Sequence, residues 1–168
     1  MGAIADVSEL IAVVALGLMA GSLVAEGGVL VPVWRSLQPD AFLIWYKQYA
    51  ALLQNVFGPM EVVTSVLAVA SAGLSWFNQS RGYHLLTASA ILSLAVLAVF
   101  LIYFQRANSN FKNGNIALAS GSEELERWSI WHWARTGIAI AAFGLAVVAV
   151  VCDKSLQTCG SEAQEWSS

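Results

Sequence analysis

Long apolar stretches separated by shorter polar ones dominate the chain. Four of these stretches are continuous runs of apolar residues with few charges. Crossing the hydrocarbon core of a bilayer, about 30 Å thick, takes roughly 20 helical residues. The strands of a membrane barrel would instead alternate apolar and polar side chains. The pattern therefore predicts four membrane-spanning helices, at residues 8–31, 56–77, 84–104 and 130–151.

A less apolar segment with helical character, residues 40–55, precedes the second predicted span. Joined to that span it would form a helix of about 37 residues, or roughly 55 Å. Such a helix is longer than one bilayer is thick. We therefore expect residues 40–55 to extend outside the hydrocarbon core, with a kink at Gly58-Pro59 where the helix enters. Pro32 and Pro39 bound the connector between the first two spans.

Composition agrees with a membrane protein. Hydrophobic residues make up 58% of the 168 residues and charged ones only 11%, whereas soluble chains carry about 25% charged residues. The mean hydropathy is +0.66. We predict an all-α integral membrane four-helix bundle with up-down topology, forming one transmembrane domain with a polar tail at residues 152–168. The net charge of −3 gives no basis for a nucleic-acid partner.

Positive charges predict the orientation in the cell membrane, because they are enriched in cytoplasmic loops. Five lie in the two connectors on one side, and two lie on the other. The five are Arg35, Lys47, Arg106, Lys112 and Arg127, and the two are Arg81 and Lys154. We therefore expect both termini outside the cytoplasm. Cys152 and Cys159 would then face the oxidising side, either as a local disulfide or as free thiols.

Polar side chains gather at one end of all four predicted spans. In an up-down bundle these helix ends meet on the same side of the membrane. The residues concerned are Glu26, Gln54, Glu61, Asn108, His132 and Arg135. Ionisable groups within membrane spans usually face the bundle interior and pair with one another, so we expect Glu26 or Glu61 to pair with Arg135. Lys47, Gln54 and Glu61 recur every seven residues and would share one helix face.

Simpler interpretations exist for each of these signals. His132 and Arg135 lie in the first turns of their span and could extend to the headgroups. Trp128, Trp131 and Trp133 could form an aromatic belt. A pair between Glu61 and Arg135 could serve structure alone. Small residues spaced along the first span favour tight helix packing within the bundle, or a dimer contact; they are Gly17, Gly21, Ala25 and Gly28.

Three short motifs resemble the anthrone-oxygenase-like family of small membrane proteins. They are GGVLVPVW after the first span, RANSNF after the third, and WSIWHWAR at the start of the fourth. The resemblance covers residues 8–151 and implies a four-helix membrane fold. For some members it implies oxidation of an anthrone to an anthraquinone by dioxygen, without a metal or flavin cofactor. The motif residues are Asn108 or Asn110, Trp128, His132 and Arg135.

A mechanism follows as a hypothesis. A hydrophobic polycyclic phenol would enter from the bilayer, and a base, His132 or Glu61, would remove a ring-carbon proton. Arg135 and Asn108 would stabilise the enolate oxygen, so that the carbanion reacts with dioxygen directly. The candidate catalytic residues are thus His132, Arg135 and Glu61. The candidate substrate-binding residues are Asn108, Trp128, Trp131, Glu26 and Gln54.

Other functions remain compatible with the sequence. The chain could be a non-catalytic accessory subunit of a larger membrane complex that uses its seven tryptophans as contacts. It could also carry protons or small molecules by way of Glu61, although no inverted repeat is evident. One histidine and two carboxylates fall short of a dedicated ligand set, so no metal site is predicted.

Overall fold

The structure, a computed structural model, describes the backbone of residues 2–115 and 121–165, and side chains within residues 4–115 and 121–153. The described backbone is helical apart from short turns. Within these residues six α-helices follow one another: α1 (Gly2–Ala25), α2 (Val31–Ser36), α3 (Pro39–Phe77), α4 (Tyr83–Val99), α5 (Gln105–Asn113) and α6 (Gly121–Glu165). Two π-helical turns, Glu26–Leu30 and Phe100–Phe104, join α1 to α2 and α4 to α5 without a break.

Four continuous helical spans result, and each is long and apolar enough to cross a membrane. They are Ile4–Ser36, Pro39–Phe77, Tyr83–Asn113 and Gly121–Asp153. Only 28–33% of the most apolar window of each span is buried inside the molecule, so most of these residues face outward, as lipid-exposed helices do. The prediction of an all-α membrane bundle is confirmed, and the chain is a multi-pass membrane protein.

The spans form a square arrangement. The first span packs against the second and fourth, and the third packs against the same two. Successive spans run antiparallel through short connections, such as the turn between Phe77 and Tyr83. Gln79 has a φ of 51° in that turn, and Gly82 lets it approach α6, because a Cβ there would lie 3.0 Å from the carbonyl oxygen of Ala149.

The helices continue through segments that the sequence placed in connectors. The first span runs on to Ser36, past Pro32. Proline clashes with the carbonyl four residues earlier in an α-helix. The π turn directly before Pro32 closes with a wider bond, from the Val31 N–H to the Glu26 carbonyl, and so makes room for the ring. At the other end α6 continues to Glu165, through the range assigned to a polar tail.

The interior contains two apolar clusters of different character. The first lies among the membrane-spanning segments and consists mostly of alanine and leucine, including Leu16, Ala68 and Ala142. The second is aromatic and lies at the connector end of the bundle, including Trp34 and Phe111. Along the first, second and fourth spans the buried charged or titratable residues of the site fall between residues of the first cluster and residues of the second.

The aromatic cluster is built around Trp34. Its ring centroid lies 5.5–6.0 Å from those of Phe42, Trp45, Tyr46 and Trp128. Tilted and edge-on aromatic pairs at such distances stabilise a core beyond their buried area. Residues 40–55, predicted as an extension outside the hydrocarbon core, supply one side of this cluster and are helical throughout.

Small and hydroxyl-bearing residues allow the spans to pack closely. The hydroxyls of Ser65 and Ser93 lie 3.1 Å apart between α3 and α4, and Ser89 donates to the Ala142 carbonyl at 2.7 Å. Among the small residues predicted to favour close packing of the first span, a Cβ at Gly17 would lie 3.0 Å from the Phe143 ring, whereas a Cβ at Gly21 or Gly28 would meet nothing within 4 Å. Of these glycines, only Gly17 therefore packs tightly within the bundle.

The pair of cysteines is only partly described. The side chain of Cys152 is exposed at the end of the fourth span. The side chain of Cys159 lies outside the described residues, so the choice between a disulfide and free thiols stays as the sequence left it.

Candidate functional site

A buried cluster of charged side chains lies where the two apolar clusters meet, and all four spans contribute residues around it. The π turn that follows α1 supplies Glu26, and the middle of α3 supplies Glu61. The beginning of the fourth span supplies His132 and Arg135. Phe104, the last residue of the second π turn, closes the cluster from the third span. π-Helical turns within α-helices are frequent at functional sites, and both turns of this chain adjoin this one.

Arg135 binds both carboxylates of the cluster. Its Nη1 donates to Glu61 Oε1 at 2.9 Å, and its Nη2 donates to Glu26 Oε2 at 3.2 Å. The exposed fractions are 3% for Arg135, 6% for Glu26 and 1% for Glu61, so these side chains lie inside the bundle and do not extend from its surface. The guanidinium carbon also lies 4.0 Å above the Phe104 ring. The predicted pairing is confirmed, with both partners at once.

The cluster contains more carboxyl groups than guanidinium groups. Two carboxylates face one guanidinium, and among the described residues the second oxygen of Glu61 and the Nε of Arg135 have no hydrogen-bond partner, although both are buried. A carboxylate that shares its cation with another one keeps part of its capacity to accept a proton. The arrangement can therefore combine a base with a fixed positive charge.

His132 is completely buried and makes hydrogen bonds through both ring nitrogens. Its Nε2 lies 2.9 Å from the carbonyl oxygen of Leu23, which only accepts, so Nε2 carries the proton in this assignment. Its Nδ1 is then free to accept from Arg135 Nη2 at 3.3 Å. The carboxylate of Glu26 lies farther from Nδ1, at 3.6 Å. The imidazole thus orients the guanidinium.

Trp128 connects this cluster to Asn108. Its indole stacks on the His132 ring at 4.9 Å with an interplanar angle of 7°, and its Nε1 donates to Asn108 Oδ1 at 2.9 Å. Trp128 is 2% exposed and therefore does not belong to a lipid-facing aromatic belt. The four motif residues of the sequence form one connected chain, from Asn108 through Trp128 and His132 to Arg135.

Gly27 provides the space that His132 occupies. A Cβ at this position would lie 3.0 Å from His132 Cδ2 and Nε2 and from Trp133 Cζ2. Such a separation is too short for an unstrained contact, so the neighbouring rings would have to move. The role of Gly27 could not be predicted from the sequence, because a glycine within a row of small residues does not show which ring it faces.

A cavity of about 300 Å³ opens next to the charged cluster, between α3 and the third span. Four of the predicted site residues line it: Glu26, Arg135, Asn108 and Gln54. The other four are not among its lining residues: His132, Glu61, Trp128 and Trp131. The cavity volume lies at the lower end of the range of small-molecule pockets, about 300–1,000 Å³.

Trp131 and the predicted heptad row lie at the periphery. Trp131 is 44% exposed and stacks on Tyr103 at 5.4 Å on the outside of the bundle, while Trp133 is 46% exposed. Of the row on α3, Glu61 is buried but Gln54 and Lys47 are exposed. A straight helix drifts by about 20° per heptad, so Lys47 and Gln54 do not share the buried face of Glu61, although Gln54 lines the cavity.

Several cavity residues were missed from the sequence. They are Tyr46, Ala50, Leu53, Phe57, Gly58, Phe100, Gln105, Ser109, Lys112 and Asn113. The polar ones recur on one face of α5, a segment that the sequence placed in a loop, so the helical spacing that would have grouped them was not applied. The apolar ones are indistinguishable in sequence from ordinary packing residues.

Metal-ligating side chains do not assemble within the described part of the chain. No group of three or more histidine, cysteine, aspartate or glutamate side chains there could hold a metal ion.

Comparison with known proteins identifies the family. A family profile described as anthrone oxygenase matches residues 45–145, a range that covers well over half of the chain. It includes Glu61, Asn108, Trp128, His132 and Arg135, and leaves Glu26 outside. No curated protein and no solved structure matches the chain. From the matched range, the chain belongs to the anthrone oxygenase family.

Proposed function

We propose that this membrane protein oxidises an anthrone, a planar polycyclic phenol with an acidic ring carbon, to the corresponding anthraquinone with dioxygen. The observation that carries this proposal is the position of Glu26 and Arg135. Both line the same cavity, and they are hydrogen-bonded to each other at 3.2 Å. A carboxylate and a guanidinium at one point can remove a proton and stabilise the negative oxygen that results.

Substrate enters the cavity from the bilayer. The cavity lies between α3 and the third span, and both of these spans expose apolar side chains, including Val56 at 60% and Ile102 at 80%. Anthrones are hydrophobic and concentrate in lipid, so lateral entry delivers them without passage through water. With the orientation expected from the positive charges, the cavity lies near the cytoplasmic side.

Glu26 is the base in this proposal. It removes one proton from the methylene carbon of the anthrone, which leaves an anion with its charge spread over that carbon and the carbonyl oxygen. Glu26 takes this role in preference to His132 and Glu61, because neither of those lines the cavity, and both ring nitrogens of His132 are already engaged.

Arg135 stabilises the enolate oxygen, with Asn108 as a second polar group on the cavity wall. The guanidinium Nε is buried and has no partner among the described residues. In a site shielded from water such fixed donors stabilise developing charge more strongly than solvent does.

The oxygen chemistry then balances without a further reactant. The carbanion carbon bonds to one atom of dioxygen, and the electron pair of the carbanion reduces the dioxygen to a carbon-bound peroxide. The distal oxygen takes a proton from the Glu26 carboxyl group. Loss of the second methylene proton forms the new C=O bond, breaks the O–O bond and releases hydroxide, which leaves with that proton as water. One anthrone and one dioxygen give one anthraquinone and one water.

His132, Trp128 and Glu61 position the reacting groups. Glu61 holds Nη1 of the guanidinium at 2.9 Å, and His132 holds Nη2 at 3.3 Å. Trp128 fixes both the imidazole plane and the amide of Asn108. Positioning of this kind contributes to catalysis, since small displacements of a reacting group can cost a large factor in rate.

Labelled dioxygen tests the proposal. The purified protein in lipid nanodiscs is supplied with anthrone and ¹⁸O₂, and the anthraquinone is analysed by mass spectrometry. We expect one ¹⁸O atom in each quinone, at a rate well above that of nanodiscs alone. A rate equal to that of empty nanodiscs would contradict the proposal. If a stoichiometric protein partner then co-purified from native membranes, the role of accessory subunit would be favoured instead.

A further inference from the structure

The face of α5 that lines the cavity is entirely polar. Its side chains are spaced at the three- and four-residue intervals of one helix face. They are Gln105, Asn108, Ser109, Lys112 and Asn113. The opposite face of α5 carries Ala107 and Phe111, which are buried in the aromatic cluster. Packing of this second face fixes the rotation of α5, so the polar face is held toward the cavity.

The wall facing α5 is mostly apolar. Ala50, Leu53 and Phe57 of α3 contribute aliphatic and aromatic surface to it. The cavity is therefore a slot with one apolar wall and one polar wall. Such a slot favours a flat ligand with polar groups along a single edge. Ligand pockets are generally apolar, and a few polar groups fix the orientation of the ligand.

A positively charged side chain lies at each end of the slot, but only the one at the inner end is paired with carboxylates. At the inner end Arg135 is paired with two carboxylates and packs on Phe104. Lys112 lies eight residues after Phe104, about 12 Å farther along the helix. Lys112 is exposed and makes no ion pair with the described residues. The outer end of the slot therefore has a positive charge that no carboxylate of the described chain neutralises.

We propose that Lys112 binds an anionic substituent, a carboxylate, on the ring of the ligand that lies farthest from Arg135. The substrates would accordingly be anthrones that carry a carboxyl group at one end. This inference rests on the proposed function for the reaction, but the binding site itself can be tested without any turnover.

Binding of two quinones provides the test. Anthraquinone-2-carboxylate and anthraquinone-2-carboxamide have nearly the same shape and differ in charge, and neither can be oxidised at the site. Their affinities are measured at pH 7 by quenching of tryptophan fluorescence, with the protein in nanodiscs of uncharged phosphatidylcholine. We expect the unaltered protein to bind the carboxylate about fivefold more tightly, as for a partly exposed ion pair.

The matched variants are Lys112→Gln and Lys47→Gln. Both remove one exposed lysine from the connector side, but Lys47 does not line the cavity. Lys112→Gln should bind both quinones equally, and Lys47→Gln should keep the preference. The preference should also shrink in high salt.

Three results would overturn the inference: equal binding of the two quinones by the unaltered protein, an undiminished preference in Lys112→Gln, or loss of the preference in both variants. The last result would indicate a general surface charge or a lipid-headgroup contact. Failure of the proposed function looks different, because a protein without oxygenase activity could still show the Lys112-dependent preference.

Discussion

Gly27 and His132 lie so close together that the glycine has no room for a side chain on the imidazole side. A Cβ at Gly27 would be 3.0 Å from the Nε2 atom that bonds the Leu23 carbonyl. The first π turn therefore sets the position of the imidazole directly, and the imidazole in turn orients Arg135. The geometry of the charged cluster depends on a residue that takes no part in its chemistry.

Gly27→Ala should displace His132 and weaken the hydrogen bonds of its imidazole to Arg135 and to the Leu23 carbonyl. A hydrogen bond to a charged group is worth about 1.5–3 kcal/mol. We therefore expect oxygen uptake with anthrone to fall by an order of magnitude or more. The control is Gly28→Ala, since a Cβ there would meet nothing within 4 Å. Both changes give the same gain in helix propensity, about 1 kcal/mol. Equal uptake by the two variants would contradict the positioning role of Gly27.

His132→Gln separates a positioning role from a base. Glutamine can still donate to the Leu23 carbonyl but cannot reproduce the stacked ring or the Nδ1 acceptor. We expect uptake to fall about 10- to 100-fold, as for loss of one hydrogen bond to a charged group. The pH dependence of the remaining rate should keep its shape, because the proton is removed by another group. Disappearance of the acidic limb of the pH–rate profile would instead identify His132 as the base.

Trp128→Phe tests the link to Asn108. Phenylalanine preserves an aromatic ring against His132 but removes the Nε1 donor that holds Asn108 Oδ1 at 2.9 Å. A neutral hydrogen bond contributes about 0.5–1.5 kcal/mol, so turnover should fall roughly 2- to 12-fold. Trp131→Phe, at an exposed ring stacked on Tyr103, is the control and should leave turnover unchanged. A larger effect at Trp131 would be inconsistent with this assignment.

Arg135→Met should destabilise the bundle strongly. Removal of the guanidinium leaves Glu26 and Glu61 buried without their shared cation, and breaking a buried ion pair costs about 3–5 kcal/mol. Arg135→Lys keeps a charge, but its single ammonium does not match the two-carboxylate geometry. We therefore expect the apparent unfolding temperature in detergent to follow the order wild type, Lys, Met. A methionine variant as stable as the wild type would show that the pairs do not hold the bundle together.

Sequence patterns were most informative where a single physical effect dominates. The apolar runs predicted four spans. Because an unpaired charge within a bilayer is unfavourable, Arg135 was expected to pair with a carboxylate. Both expectations are confirmed. The sequence could not show that Glu26 and Glu61 bind the same guanidinium, because this depends on how four helices rotate about their axes.

The helix boundaries were harder to predict, for a local reason. Pro32 was interpreted as the start of a connector, since proline usually ends a helix. A π turn before it keeps the helix intact, and hydrophobic patterns carry no signal for such a turn. For the same reason the polar residues of α5 were not predicted to line a cavity. α5 is also joined to its span through a π turn, so its sequence resembles a connector. Lys112 therefore counted only as a connector charge.

The central claim is that Glu26 removes the proton from the substrate, and replacement of this residue tests it most directly. Initial rates of oxygen uptake with anthrone are compared for the wild type, Glu26→Gln and Glu61→Gln in the same nanodiscs, after each variant is shown to unfold cooperatively. Both variants keep the shape of the side chain, but only Glu26 lines the cavity. We predict that Glu26→Gln reduces uptake to that of empty nanodiscs while Glu61→Gln retains measurable turnover. Wild-type uptake in a folded Glu26→Gln protein would contradict the account.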